Sequence, residues 1–262
     1  MVAPHPNPDS KRGSNPQASH CLPTLTSQQS RISPWLMPLA YRLGQRLILP
    51  LVFREIDIQG IEHLPRRGPV LLAPTHRSRW DALIIPRSAG RPTTGRDIRF
   101  MVSANEMRGL QGWVIWRCGG FPVNTDQPGV ASVRYGVDLL ASGEMLVVFP
   151  EGGIFRDQQV HPLKVGPAWM AVQAAAQGDE PVQVVPIGLA YSQPYPHCGS
   201  RVAVRIGTPL STADLALGPE KQRARDLSQQ LRQRMEELHQ QALRSVGRLT
   251  PGGAPGAVTG LG

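Results

Sequence analysis

The stretch Gly68-Pro-Val-Leu-Leu-Ala-Pro-Thr-His76-Arg-Ser-Arg-Trp-Asp81-Ala-Leu-Ile-Ile85 constrains the fold more than any other. Val70 to Ala73 is a continuous apolar run, with Gly68-Pro69 before it and Pro74 behind it. A run that short, closed off by turn-forming residues, reads as a buried strand. A second apolar set, Ala82 to Ile85, follows and stops at Pro86. Between the two lies a polar insert carrying His76 and Asp81. On one continuous helix a spacing of five residues sets two side chains roughly 140° apart, facing away from each other. With His76 on the turn leaving the strand and Asp81 opening the next helix, the imidazole can lie beside the carboxylate. A histidine so held is fixed in one tautomer and becomes a better proton acceptor. That is the base and orienter of a catalytic triad with no nucleophile beside them, so the nucleophile would come from the substrate. The other reading of these residues is a capping aspartate and a surface histidine.

The remaining chain alternates strand and helix patterns. Phe53 to Ile61 alternates like a half-exposed strand; Asp97 to Ala104 and Glu144 to Phe149 read as strands, as does Val182 to Tyr191. Arg201 to Ile206 reads as an edge strand. Gly109 to Arg117, Val130 to Ser142, Pro167 to Gln177 and Pro219 to Val246 carry helical spacing. The stripe Leu227, Leu231, Met235, Leu238 and Ala242 in the last of these is expected to pack on the core. With no internal repeat, the pattern predicts a single α/β domain over residues 54–247, a mixed central sheet flanked by helices. Residues 1–32, rich in Pro, Ser, Asn and Gln, read as a disordered leader, and 248–262 as a flexible tail.

Residues 33–53 differ. Arg42, Gln45 and Arg46 form a narrow polar stripe on a helical wheel, while Trp35, Leu36, Leu39, Leu43, Leu47 and Ile48 cover most of the rest. This suits an amphipathic helix lying in the headgroup region of a membrane, with Trp35 at the interface. A helix packed on the domain's own core is the alternative, and the two are compatible. Formal net charge is +9 over 262 residues, carried almost wholly by arginine, since lysine occurs only at Lys11, Lys164 and Lys221. That balance favours an anionic partner, whether a phospholipid surface, nucleic acid or phosphorylated small molecules, or reflects an arginine-rich composition. Aromatics are only 5% and no nucleic-acid-binding module is recognisable, so no nucleic acid partner is expected. Cys21, Cys118 and Cys198 are odd in number and far apart, which suggests neither a disulfide framework nor a metal site and points to a reducing compartment. No secretory signal and no run long enough to span a bilayer are read from the sequence. The expected location is peripheral, on the cytoplasmic face of a membrane.

Phe149-Pro-Glu151-Gly152-Gly153 places a carboxylate and two glycines where a strand ends, the position at which active groups of α/β folds gather. Glycines there admit close backbone approach, and their amides can face a phosphate. Glu151 is a candidate to hydrogen-bond a hydroxyl, and Arg156 to pair with phosphate. A sharp structural turn is the other reading.

Together these segments resemble the phospholipid/glycerol acyltransferase family, which includes the 1-acylglycerol-3-phosphate acyltransferases. The family's Asn-His-x4-Asp block is matched by Thr75-His76-x4-Asp81, and its Phe-Pro-Glu-Gly-Thr-Arg block in part by Phe149 to Gly153. Its apolar strand with a central proline is matched by Val185-Pro186-Ile187, and Lys164-Val-Gly166 fits a Lys-x-Gly found in many members. The resemblance covers roughly residues 50 to 210. In the block Gly-x4-Arg, Gly120 is present but Thr125 stands where the phosphate-holding arginine is expected, and Gly153-Ile154 replace Thr-Arg. Arg77, Arg79, Arg134 and Arg156 are candidates to compensate.

The resemblance implies transfer of an acyl group from acyl-CoA or acyl-carrier protein to a hydroxyl of a lysolipid, most simply 1-acylglycerol-3-phosphate. His76 would be the general base and Asp81 its orienter. Glu151, Gly152, Gly153, Arg156, Gly120, Thr125 and Pro186 would line the substrate site. No cofactor and no metal are implied. A non-phosphorylated alcohol acceptor, a thioesterase, and an inert anionic-lipid binder on the same scaffold are the alternatives.

Overall fold

The computed structural model describes residues 30–124 and 129–249. The expected leader therefore lies outside the described residues up to position 29, as do Thr125 and the expected tail from position 250 on. Two-sided burial organises the rest. In β2 (Val70–Pro74) every residue is buried, with Leu71 and Ala73 turned to one face of the sheet and Val70 and Leu72 to the other. A strand covered on both faces must sit mid-sheet with helices above and below, which is why its apolar run is continuous rather than alternating. β2 pairs in parallel with β5 (Met145–Val147) and with β6 (Gln183–Tyr191). Outward from β5 follow β3 (Ile98–Ser103) and β4 (Gly120–Val123), all parallel. Outward from β6 come β7 (Ser200–Ile206), antiparallel, and β1 (Phe53–Gln59), parallel to β7. The short β8 (Leu210–Ser211) pairs with the start of β6. The order is β1-β7-β6-β2-β5-β3-β4, a mixed sheet as expected.

One face carries α6 (Val130–Ala141), α7 (Gly166–Gln177) and α8 (Glu220–Ser245), which bury Leu140, Ala171, Leu227 and Met235 against Leu71, Leu146 and Val184. The other face carries α3 (Asp81–Ala89), whose Ile84 and Ile85 pack on Leu72, Val147 and Ile187. Each such aliphatic side chain contributes about 1.5–3 kcal/mol when fully buried. Pro86 does not end α3, which continues to Ala89. A proline six residues into a helix forfeits only one main-chain bond, and Ile84, Ile85 and Ala89 remain fully packed.

β7 is an interior strand, not the edge expected from Arg201 to Ile206. It lies between β1 and β6, and all but one of its residues are buried. Its one deeply set charge, Arg205, is absorbed by Asp57 on β1 and Ser245 on α8, so the apparent alternation came from a paired cation rather than from solvent exposure. In β6 the small residues Pro186, Gly188 and Ala190 alternate with Val185, Ile187, Leu189 and Tyr191. The small set faces α8: a side chain on Gly188 would meet the Leu238 carbonyl carbon at 2.3 Å, so the helix backbone lies almost against the strand.

Before β1 runs a helical segment made of α1 (Leu36–Leu43), a π-helical turn (Gly44–Ile48) and α2 (Leu49–Val52). Met37, Gly44 and Leu49 are buried on the domain, and the Tyr41 hydroxyl lies against Gly90 at the end of α3. Burial pushes that hydroxyl up to about 12. Trp35, Leu39, Leu43, Leu47 and Leu51 face outward, 61% exposed at the first and 67% at the last. These five recur every fourth residue, a period that would drift around an ideal α-helix. The wider π turn in the middle keeps them nearer one line. The expected amphipathic helix is therefore present, one face on the core and one exposed. The short α4 (Arg91–Thr94) precedes β3, and α5 (Gly109–Arg117) lies between β3 and β4. Among the described residues no helix is long and apolar enough to cross a membrane.

Candidate active site

β2 stops pairing at Pro74, and Thr75 completes the ladder with its side chain. Its main-chain N–H donates to Ile187, and its Oγ1 both accepts from the Leu189 N–H and donates to the Leu189 carbonyl. The chain is thereby pinned to β6 one residue before it turns away at His76. The His76 main chain is then held from the other side. Its N–H donates to Glu151 Oε1 at 3.1 Å, and its carbonyl accepts from the Phe155 N–H at 2.9 Å. The imidazole stacks on Phe149, with ring centroids 3.9 Å apart.

Asp81 is the first residue of α3, as the spacing requires. Its Oδ2 accepts from His76 Nδ1 at 2.8 Å, from the Arg77 N–H at 2.7 Å and from the Ser78 N–H at 3.0 Å. Its Oδ1 accepts from the Tyr191 hydroxyl at 2.6 Å. The carboxylate is fully buried while the His76 side chain is 20% exposed. A buried carboxylate is stabilised by such donors and by the helix N-terminus on which it sits. With Nδ1–H directed at Asp81, the lone pair of the imidazole is on Nε2. The ring can therefore take a proton from a bound group and spread the new positive charge toward Asp81.

Glu151 is a brace for this turn. Its Oε2 accepts from Arg77 Nη2 at 3.1 Å and from the His161 N–H at 3.0 Å, while Oε1 holds His76. Arg77 in turn donates to the carbonyls of Phe155 and Gln159, and both ends of the pair are buried. An ion pair so buried offsets its desolvation only when its remaining valences are filled, as most are here. The geometry thus turns Glu151 and Arg77 inward, joining the β2–α3 turn to the loop after β5. His161 stacks on Phe155 and pairs with Asp157 at 2.7 Å on the outer side of that loop.

The other expected site residues are spread more widely. Gly152 has φ +75°, which favours glycine, and the end of the Lys164 side chain lies where a Cβ would sit. Gly153 follows without either constraint. Arg156 lies over the Tyr195 ring at 4.7 Å. Arg79 is exposed and pairs with Glu106 at 2.6 Å. Pro186 is buried in β6, between residues 183–184 that pair with β8 and residues 187–191 that pair with β7, where its missing N–H leaves no gap in the ladder. Gly120 opens β4 and lines an apolar cavity of about 190 Å³ together with Tyr41, Leu83, Phe100, Val102 and Ile115. The cavity is also lined by Ala82 and Pro86 of α3, the helix that Asp81 opens. Thr125 lies outside the described residues.

A family model described as Acyltransferase matches residues 55–190, slightly more than half of the chain and the span that carries both His76 and Glu151. The chain belongs to the acyltransferase family. It is 27% identical over 190 residues to a 1-acyl-sn-glycerol-3-phosphate acyltransferase of Bacillus subtilis, covering 70% of this chain and 87% of that protein. It is 26% identical over 152 residues to a protein of the same name from Streptococcus pneumoniae, covering 56% of this chain and 51% of that one. The fold is similar to the crystal structure of the 1-acyl-sn-glycerophosphate (LPA) acyltransferase PlsC from Thermotoga maritima, with TM-score 0.63 and 16% identity over 82% of this chain and 81% of that one.

Two residues of this acyltransferase site carried no assigned role in the sequence reading. Tyr191 closes a strand whose buried side chains on the same face, Val185, Ile187 and Leu189, are aliphatic, and a tyrosine so buried needs a hydroxyl partner. Burial first, then the Asp81 charge, raise its hydroxyl well above the ordinary phenol range, so it stays protonated and donates. Thr75 stood in the first motif, but its part in ending β2 depends on β6, more than a hundred residues away in the chain.

Proposed function

We propose that this acyltransferase moves a fatty acyl group from an acyl thioester, acyl-CoA or acyl-carrier protein, to the free hydroxyl of 1-acylglycerol-3-phosphate at a membrane surface. The observation that carries the reading is the buried Asp81 carboxylate against His76 Nδ1, with no Ser or Cys in a nucleophile motif beside it. His76 Nε2 takes the acceptor's hydroxyl proton as that oxygen attacks the thioester carbonyl. Asp81 stabilises the imidazolium. The tetrahedral intermediate then collapses, the C–S bond breaks, and the proton passes from His76 to the leaving thiolate. The products are an ester and a free thiol, with no acyl-enzyme.

The apolar cavity beside Ala82 and Leu83 supports a hydrocarbon-bearing substrate. The outward row from Trp35 to Leu51, with Arg42 and Arg46 exposed alongside and a net charge of +9, supports docking on an anionic bilayer at the cytoplasmic face. The two curated relatives named above support the acceptor. A non-phosphorylated alcohol acceptor is the second reading. It is favoured by Arg77 being turned inward to Glu151 and Arg79 being paired with Glu106.

The acceptor is tested by following thiol release from a long-chain acyl-CoA on anionic vesicles with 1-acylglycerol-3-phosphate, monoacylglycerol or water alone. The first reading expects release only with the phosphorylated acceptor. Release with monoacylglycerol alone transfers support to the second, and acceptor-free release marks a thioesterase.

A further inference from the structure

We infer that Tyr191 is a positioning residue for the base: its hydroxyl fixes the plane and basicity of the Asp81 carboxylate and, through it, the proton affinity of His76. This rests on the reading of His76 as the general base. Three of the bonds to Asp81 converge on Oδ2, from His76 and two main-chain amides, whereas Tyr191 reaches Oδ1 from β6 on the far side. A carboxylate held by one oxygen can still rotate about its terminal bond. A 2.6 Å bond on the other oxygen stops that rotation.

The ring is itself fixed. It packs against Phe53 at 5.7 Å, and Phe53 packs edge-on against Trp80, the residue that precedes Asp81. The Tyr191 carbonyl accepts from Arg248 beyond the end of α8, and Leu189, two residues earlier, accepts from His239 on α8. The sheet therefore supports the dyad from below, as Glu151 supports it from the side.

A phenol donating to a carboxylate draws off part of its charge. Less charge on Asp81 means a weaker pull on the imidazole proton, so the Tyr191 bond sets His76 as a weaker base than an undivided Asp81 would make it. The charged and titratable groups around this array are His76 and Asp81 themselves, the inward Arg77–Glu151 pair, Arg248, and His239. Beside these, Tyr191 reaches Asp81 Oδ1 directly, as His76 reaches Oδ2.

The test is acceptor-dependent thiol release against pH for four proteins: wild type, Tyr191→Phe, wild type carrying 3-fluorotyrosine at position 191, and His76→Ala. Tyr191→Phe keeps the ring packing and removes only the oxygen. It is expected to lower kcat on the order of tenfold, with both KM values within about twofold. It also moves the acid side of the pH–rate profile to higher pH. The more acidic 3-fluorotyrosine is a stronger donor, fills the same space, and moves that limb the other way. A merely structural tyrosine would not produce opposite shifts. If His76→Ala is inactive while neither change at 191 moves the limb, the inference fails and the base assignment stands. If His76→Ala is as active as wild type, both fall. Should Tyr191→Phe fail to fold, the fluorotyrosine protein alone decides, since an unmoved limb there overturns the inference.

Discussion

Around Asp81 a buried carboxylate collects four hydrogen bonds, three from the β2–α3 turn and one from β6, while along the helical segment 35–52 a row of large apolar side chains is left facing outward. Both departures are costly for a chain that needs only to fold. A buried charge loses its hydration, and five exposed apolar side chains each forgo up to about 1.5–3 kcal/mol of burial. The difference lies in how each cost is met. At the dyad the protein supplies every compensating group itself, from β6, from the loop after β5 and from the turn. At the helix the compensation is left to something outside the chain, and a bilayer surface is the proposed partner. On the proposed reading, chemistry is thus placed where the protein completes its own bonds, and substrate capture on the face it leaves uncovered.

The largest effect expected from attacking the first region is Asp81→Asn. It keeps the shape and removes the charge that stabilises the imidazolium, so activity should fall about 10²–10⁴-fold with the fold retained. Circular dichroism alongside thiol release separates the two. Next comes Glu151→Ala, which leaves Arg77 buried without its partner. A loss of about 3–5 kcal/mol is expected, read as a fall in the urea midpoint. Were Glu151 instead a substrate contact, KM would rise and the midpoint would stay.

A third experiment tests the support from α8. Burial, then the charge of Arg77, hold the His239 imidazole down to about 3, against its ordinary 6.5. Folded, it stays neutral over a range in which the unfolded chain takes up a proton. Its contribution is therefore complete above about pH 6.5 and is lost as pH falls toward about 3, by up to about 1.4 kcal/mol per pH unit. The pH dependence of the urea midpoint between those limits should be shallower in His239→Asn than in wild type. Equal slopes would mean that His239 is not buried neutral.

Least disturbing should be Leu43→Ser on the exposed row. Stability is expected to change by no more than about 0.5 kcal/mol, because the side chain is already in water. Binding to anionic vesicles should weaken by about tenfold. Unaltered vesicle binding would remove this helix from the capture surface and collapse the contrast between the two regions.

Much of this arrangement was legible in the chain. His76 and Asp81 could be brought together only by a turn followed by a helix start, and that is how they lie. The runs at Val70–Ala73 and Val182–Tyr191 carried the sheet because burial on both faces leaves an apolar signature that needs no partner to be read. What escaped depended on distant pairing. Arg201 to Ile206 alternates in sequence, yet Arg205 is neutralised by Asp57 from β1. Glu151 reads as a group to meet a hydroxyl, and its bonds to Arg77 and His161 come from pairings the sequence does not display. Tyr191 is a strand residue like its neighbours except for one oxygen, whose partner lies 110 residues away.

The most direct test of the central claim compares wild type with His76→Ala. Both are given long-chain acyl-CoA and 1-acylglycerol-3-phosphate on anionic vesicles, with equal folding verified by thermal unfolding. The account predicts that acceptor-dependent thiol release, present in wild type, falls about 10²–10⁴-fold in the variant. A folded His76→Ala protein that releases thiol at the wild-type rate would contradict it.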